Sequence, residues 1–537
     1  MAEEVWMLQT KKADFKQIGA RFRIDPVTAR IIRNRGIEGE AAIDRYLNGT
    51  LDDLYDPMLL KDMERAVSIL CEAVDTGKKI RIVGDYDIDG VCSTYILLQA
   101  FERLGSDVDF EIPDRIKDGY GINESIIEQA HADGVEVILT CDNGISAFHQ
   151  VELAKKYGMT VVITDHHEVP LDGEKEKIPP ADAVIDPKQA DCPYPFPEIC
   201  GAVVAYKLVQ VLYARRGVPQ MEWLDLLEFA AIATVGDVMK LQDENRILVK
   251  YGLKKMAQTK NLGLRRLAEK NNLDLGAITA YHIGFVIGPC LNAGGRLKTA
   301  KEALALLRAQ SEEEAERLAE KLKELNDTRK DMTEQGTEAA KLQVESWYQK
   351  DKVLVVFLPE CHESLAGIIA GRLREYYQKP AIVLTRGEEA VKGSGRSIDE
   401  YHMFKKLTEV SDLLLKFGGH PLAAGLSLEE KNIDEFRRRL NENAGLTEED
   451  FKAKVWIDVP MPVGYVTERL VRELSCLEPF GQGNEKPLFA EKSLRIRASR
   501  VLGRNRNVVK MTLEETDGHA IEALYFGDGT AFEEERA

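Results

Sequence analysis

The sequence predicts an α/β protein of several domains, built around a mostly parallel sheet. Three observations predict it. Short apolar, β-rich runs alternate with amphipathic helix-like stretches from Lys79 onward. Acidic residues gather at the ends of those runs, where open parallel sheets place their ligands. The alternation restarts at Lys352 and yields to alternating β-rich segments after Glu448. A chain of 537 residues is too long for one hydrophobic core.

Residues 1–75 read as a helical lead-in, with IIRNRGI followed by AAIDRYL, packed on the main domain. Residues 76–298 form the first α/β domain with a helical extension. Its strands are expected in KIRIVG, VDFEIP, VEVILT, TVVIT and ADAVID, and its helices in VCSTYILLQAFERLG, SAFHQVELAKKYG and GAVVAYKLVQVLYARR. Residues 299–350, rich in Glu, Lys, Ala and Leu with few breakers, predict a long connecting helix or helix pair. Residues 351–448 form a second α/β domain. Residues 449–537 are expected to be a small antiparallel domain, a short barrel.

Bulk properties exclude some classes. No run of about 18 apolar residues is present, which excludes a membrane-spanning helix. MAEEVWMLQTKKADF lacks the basic start and apolar core of a signal peptide, so a cytoplasmic protein is expected. Eight Cys without a CxxC pair argue against a disulfide framework or zinc ribbon. A net charge of −18 argues against nucleic acid wrapped over the whole surface, but a narrow cationic channel is compatible with an acidic body.

The chemistry concentrates at strand ends. Asp85, Asp87 and Asp89 alternate in GDYDIDG, between a strand and a helix. Asp142 ends the next central strand, Asp165-His166-His167 the one after, Asp186 ends ADAVID, and Asp237 follows the helix-like AAIATVG. So many close carboxylates repel unless cations compensate. Carboxylates with imidazole suit two Mn2+ or Mg2+ ions better than Ca2+, and no Cys joins the set as zinc would favour. Asp142 is the natural bridging ligand because its strand should lie between the others. Such a pair of ions hydrolyses phosphate esters. Asp85, Asp142, His166 and His167 are the expected catalytic residues, with His167 either touching phosphate or supporting a ligand from behind.

Phosphate-handling features follow. Gly393-Ser394-Gly395-Arg396-Ser397 offers donors and a guanidinium at what reads as a tight turn. Gly418-Gly419-His420 follows the helix-like MFKKLTEVSDLLLKF, and His362 precedes LAGIIAGRL. Arg115 and Tyr120 pair a cation with an aromatic beside the first sheet. Asn326 and Arg329 are placed to face a cleft from the connecting helix, with Arg296 and Arg372 as further backbone contacts.

GDYDIDG, DRIKDGYG, CDNGIS, TDHHEVP, ATVGD, LNAGGRL, GSGRS, FGGHPLAAG and EPFGQGN, in that order, resemble the DHH phosphoesterase superfamily, and within it the bacterial single-strand-specific exonucleases. The resemblance covers nearly the whole chain. It implies a DHH domain, a connecting helix, a DHHA1-type domain and a C-terminal OB-like barrel. It implies that Asp89, Asp142, His166 and Asp237 surround one metal, and Asp85, Asp87 and Asp142 the other. It implies that Arg115, Ser394 and Arg396 bind a 5′ phosphate, that Tyr120 lies near the terminal nucleotide, and that digestion of single-stranded DNA runs 5′ to 3′ in repair and recombination. Single-stranded DNA is thus the expected partner, with a single-strand-binding protein and a helicase beside it. Cys290 stands where the family pattern usually has Arg, and Cys361 where Trp is usual, which bears on DNA grip more than on the chemistry. The barrel is expected to end soon after Phe526, as in a compact member without an added helicase or interaction domain. Competing readings are an oligoribonuclease, a small phosphoester or polyphosphate hydrolase, and a non-enzymatic single-strand-binding protein.

Overall fold

The computed structural model describes residues 4–536. Met1–Glu3 and Ala537, the outermost residues of the expected lead-in and C-terminal domain, lie outside the described residues. The chain divides into two units, one spanning Thr50–Ala453 and the other combining Glu4–Gly49 with the segment from Lys454 onward.

In the larger unit, the first sheet has five parallel strands in the order Val108–Glu111, Ile80–Val83, Val137–Cys141, Thr160–Thr164, Ala183–Ile185. The expected apolar runs are these strands, fully buried from Ile80 to Val83 and from Val137 to Cys141. Helices cover both faces. Ile88–Arg103 and Gly201–Arg215 pack on one face through residues such as Val91, Leu98, Val204 and Leu208. Glu124–Ala132 and Phe148–Lys156 pack on the other through Ile127, Ala130, Val151 and Ala154. The chain leaves Ile80–Val83 towards one neighbour and later returns to its other side. That reversal opens a crevice at the carboxyl ends of Ile80–Val83 and Val137–Cys141.

The connecting helix runs Glu312–Gln343, 32 residues, preceded by a separate helix Lys301–Leu307. At about 1.5 Å per residue it is roughly 48 Å long. Ser311 caps it, accepting the Glu314 N–H at 3.2 Å, and Glu312, Glu313 and Glu314 complement its N-terminal dipole. The second sheet is mixed, in the order Leu414–Gly419, Ala423–Leu428, Val391–Arg396, Ala381–Arg386, Leu354–Phe357.

Two local expectations are corrected here. Gly393 to Arg396 form the end of a central strand, not a tight turn. Packing explains the glycine, since a Cβ at Gly393 would sit 2.5 Å from Leu384 Cδ2. In MFKKLTEVSDLLLKF only Met403–Thr408 is α-helical, and Leu414–Gly419 is an edge strand.

The smaller unit corrects the lead-in, which is neither wholly helical nor one piece. Glu4–Leu8 is a strand paired with Ala453–Ile457. The helices Phe15–Phe22, Pro26–Asn34 and Glu40–Asn48 share a core with Val459, Met461, Leu470 and Leu477. Residues from Thr50 onward belong to the larger unit instead. The C-terminal part holds a three-stranded antiparallel sheet, Arg495–Leu502, Val508–Glu514 and Ala520–Phe526, followed by the helix Gly529–Arg536. No helix among the described residues is long and apolar enough to cross a membrane.

Candidate functional site

The crevice between the central strands gathers the acidic residues. Asp87 is the N-cap of Ile88–Arg103, its Oδ1 accepting the N–H groups of Asp89 and Gly90 at 2.9 and 3.1 Å. This cap fans Asp85, Asp87 and Asp89 around the strand tip. A side chain at Gly90 would place its Cβ 2.4 Å from the Asp85 carbonyl oxygen, so the close turn depends on glycine.

Asp89 is held from a quarter with no signal in the sequence. Its two carboxylate oxygens accept the Gly201 and Ala202 N–H groups at 2.7 and 2.8 Å, at the N-terminus of Gly201–Arg215. Asp142 takes a left-handed backbone, φ 60°, sparsely populated for residues other than glycine. Asn143 beside it is buried and ties the strand ends together: its amide donates to the Val83 and Cys141 carbonyls and its Oδ1 accepts the Ile122 N–H. Val238, next to Asp237, is also left-handed at φ 58°, a costly conformation for a β-branched residue.

The side chains converge in overlapping groups whose ligand atoms lie within 4.8 Å of one another: Asp85, Asp87 and Asp142; Asp89, His166 and Asp237; and Asp142, His166 and His167. His166 Nε2 is 3.0 Å from Asp142 Oδ1, 3.4 Å from Asp89 Oδ2 and 3.8 Å from Asp237 Oδ2. Asp142 belongs to two of the three groups, on a strand that lies between the others. Asp165 is different. It is buried and spent on structure, accepting the Ile145 and His166 N–H groups and lying 2.7 Å from His167 Nδ1. Asp186 stays outside the groups, with Oδ1 taking the Lys188 N–H.

The electrostatics fit divalent cations. Burial, then the neighbouring Asp87 charge, pushes Asp85 up to about 8, and burial with Asp89 pushes Asp237 up to about 8. Asp142 is raised by burial and by Asp89, Asp87 and Asp85. Burial lowers His166, favouring the neutral imidazole that ligates metals. Hard carboxylate oxygens with one or two imidazoles and no thiolate suit Mn2+ or Mg2+. For His167, burial acts downward but the Asp165 hydrogen bond and charge outweigh it, raising the imidazole to about 9. The Tyr120 hydroxyl lies 3.0 Å from His167 Nδ1 and donates to the Asp142 carbonyl at 2.9 Å. His420 of the second α/β domain lines the same cavity of about 450 Å³ as Tyr120, His166 and His167.

A second cavity, about 330 Å³, is lined by Arg115, Arg296, Ser364, Lys392, Ser394 and Arg396, among others. The Arg115 guanidinium lies 3.9 Å over the Tyr86 ring. Burial, then Arg115 and Arg329, lowers Arg296 to about 10, and burial with Arg374 lowers Arg396. Cations crowded this way call for an anion. Gly367 makes the room, because a Cβ there would lie 2.9 Å from Arg396 Nη2 and 3.3 Å from Ser394 Oγ. Gly367 and Lys392 escape sequence reasoning, since nothing in their local sequence points across the domain.

Other expected contacts lie elsewhere. Asn326 is 1% exposed and touches no cleft; its amide donates to Cys290 Sγ at 3.4 Å and its Oδ1 accepts the Arg329 Nε–H at 3.0 Å. Ser397 is likewise buried, its hydroxyl spent on the Tyr401 carbonyl. Cys290 is buried, so it presents no group to a ligand. Cys361 packs among Leu358, Leu365 and Ile369. His362 stands at the N-cap position of the helix Glu363–Tyr377 without a side-chain bond to its backbone N–H groups, its Nδ1 2.7 Å from Ser364 Oγ. Arg372 is exposed on that helix, close enough to Arg329 to help lower it, after burial.

Three family models match: the DHH family N-terminal domain over residues 79–234, the DHHA1 domain over 350–445 and the RecJ OB domain over 457–537. The single-stranded-DNA-specific exonuclease RecJ of Bacillus subtilis is 36% identical over 529 residues, 98% of this chain, which spans 66% of that relative's length. RecJ of Escherichia coli is 34% identical over 531 residues, 95% of this chain and 90% of that protein. The crystal structure of Thermus thermophilus RecJ in complex with Mn2+ matches with a TM-score of 0.81 at 28% identity, covering 97% of this chain and 78% of that one. The same protein's Mg2+ complex matches with a TM-score of 0.75, covering 98% and 73%.

Proposed function

This chain belongs to the RecJ family of DHH phosphoesterases, and from that premise we propose that it is a metal-dependent exonuclease that removes mononucleotides from the 5′ end of single-stranded DNA. The observation that carries the reading is the meeting of Asp85, Asp87, Asp89, Asp142, His166 and Asp237 at one crevice, with Arg115, Arg296, Lys392 and Arg396 lining a further cavity. Asp85, Asp87, Asp89, Asp142, His166 and Asp237 would hold two divalent ions, which would supply water activation and charge neutralisation at the phosphoryl oxygens.

The protein's own residues bind and orient. Gly201 and Ala202 fix Asp89, and the left-handed turn aims Asp142. Asp165 keeps His167 protonated at neutral pH, so that its charge faces a phosphoryl oxygen. Arg115, Ser394 and Arg396 take the terminal phosphate, which supplies the 5′ polarity, and Tyr120 and His420 flank the first nucleotide. The spans 76–298, 299–350, 351–448 and 449–537, with the antiparallel C-terminal domain as a holder of the strand, are part of the same proposal. So are repair and recombination in the cytoplasm as its setting, and a helicase and a single-strand-binding protein as suppliers of open strands, because a single-strand enzyme needs duplex opened for it.

The deciding experiment compares 5′-phosphorylated single strands, 5′- and 3′-tailed duplexes, RNA and short oligomers, in Mn2+ and in Mg2+. Mononucleotide release from single-stranded 5′ ends is expected. Release from 3′ ends would overturn the polarity, and preference for dinucleotides would overturn the substrate. Asp142→Ala should lower turnover at least about a hundredfold with the fold intact.

A further inference from the structure

Tyr281 and Phe285 stack one helical turn apart, ring centroids 4.8 Å and planes 27° from each other, and they are 63% and 68% exposed. Two large rings held parallel in solvent are not accounted for by core packing. Tyr281 lies in the short helix Ala280–His282 and Phe285 in the π-helical turn Ile283–Ile287 that follows it and continues as Gly288–Leu297. Local π-helical turns are frequent at functional sites.

Residues four apart share a helix face. Gly284, Gly288, Asn292 and Arg296 therefore form one row, and all four line a single cavity of about 110 Å³ with Arg329 and with Gly236, the neighbour of Asp237. A Cβ at Gly284 would meet only Val235 Cγ1, at 3.7 Å, so packing does not require glycine there. The missing side chain keeps the row open between the aromatic pair and the arginines. Phe285 adjoins Gly284 in the chain, so the rings stand beside the start of a row whose other end carries Arg296, and the row passes Gly236 of the metal-site loop. That alternation of ring faces and guanidinium groups is complementary to the bases and phosphates of a single strand.

We propose that Tyr281 and Phe285 are a stacking platform for bases of the incoming single strand, whose backbone follows Arg296 and Arg329. The proposal rests on the nuclease reading above. Phe285 and Arg296 are separated by about 16 Å along the helix at 1.5 Å per residue, which corresponds to about five stacked bases at 3.4 Å each. The platform therefore engages only strands longer than about five nucleotides and sets a length preference.

The test is the Tyr281→Ala/Phe285→Ala double variant of the full chain, measured with 5′-phosphorylated oligothymidylates of about 3 and about 12 nucleotides. Binding is read by fluorescence anisotropy in EDTA, and turnover in Mn2+ in parallel. Affinity for the longer strand should fall about tenfold or more, mostly as a rise in KM, while the trimer changes less than about twofold. Tyr281→Phe/Phe285→Tyr, which keeps both ring faces, should restore the long-strand affinity. Equal losses on both lengths, no loss on the longer strand, or failure of the ring-retaining variant to rescue would each overturn the platform. Absence of turnover by the unaltered protein, with long-strand binding still lost in the double variant, would overturn the nuclease reading and leave the platform standing.

Discussion

Asp165 Oδ1 lies 2.7 Å from His167 Nδ1, and this buried carboxylate touches the imidazole rather than joining the acidic groups around it. The pairing runs both ways. His167 is raised to about 9, and Asp165 is lowered, because burial, which acts upward, is outweighed by the His167 hydrogen bond together with the charges of His167 and His166. His167 is therefore cationic below about pH 9 and loses its charge as pH rises through that value. Asp165→Asn should return the imidazole towards its ordinary range, near 6.5. Turnover at neutral pH should fall about 10- to 100-fold, and the alkaline limb of the kcat/KM profile should move to lower pH. An unmoved alkaline limb would separate His167 from that titration.

The acidic site makes stability depend on pH and metal together. Asp85 and Asp237, raised to about 8, retain protons in the metal-free protein that unfolded carboxylates, near 3.9, have already lost. Their contribution to stability is fully present below about pH 4 and is lost as pH rises through about 8. Without metal, Tm should thus fall between about pH 6 and about pH 8.5, and Mn2+ should raise Tm more at the higher pH. Differential scanning fluorimetry with EDTA and with Mn2+ reads both. The same pH slope in the two series would show that the carboxylates are not shared with a cation.

The first sheet was legible in the sequence because all its strands but the half-buried edge Val108–Glu111 are buried almost throughout, so their apolar runs announce themselves without a partner. Asp142, Asp165 and Asp237 were legible for the same reason, as the residues that end such elements. What escaped depends on groups without side-chain identity or on distant partners. The N–H groups of Gly201 and Ala202 that grip Asp89 are backbone, more than a hundred residues away in sequence. Glu4–Leu8 finds its partner at Ala453–Ile457, and neither strand specifies the other locally. Gly393 looked like a turn residue because glycine usually marks one, yet here Leu384 and Leu426 leave no room for a Cβ. Asn326, on a helix rich in charge, gave no sign that it is buried with its amide on Cys290.

Arg396 ends a strand that faces Gly367, and the space above that glycine is kept by the guanidinium and by Ser394 Oγ. Arg396→Ala should therefore cost more on a 5′-phosphorylated strand than on an unphosphorylated one, by about tenfold in KM. Arg396→Lys should recover little, since an ammonium lacks the planar fork. Equal losses with and without the terminal phosphate would move the phosphate site elsewhere.

Asp458 tests the smaller unit alone. Its carboxylate accepts both Arg35 Nη groups, at 2.7 and 3.0 Å, together with the Leu488 N–H at 3.1 Å, and both charged side chains are almost fully buried. Asn34 adds its amide to the same oxygen that takes Arg35 Nη1, and to the Asp458 carbonyl. These bonds join the N-terminal helices to a segment more than four hundred residues later, with which they also share a hydrophobic core. Asp458→Ala removes the carboxylate that holds both Arg35 Nη groups and leaves the guanidinium to the Glu485 carbonyl and the more distant Glu485 carboxylate; removing one partner of a buried pair costs about 3–5 kcal/mol. The variant should expose Glu4–Gly49 to limited proteolysis and unfold in a separate, earlier urea transition. Hydrolysis of oligomers of about three nucleotides should persist, because every proposed metal ligand lies within Thr50–Ala453 and so short a strand needs little else. A single transition with loss of that hydrolysis would show that the two units fold and act as one.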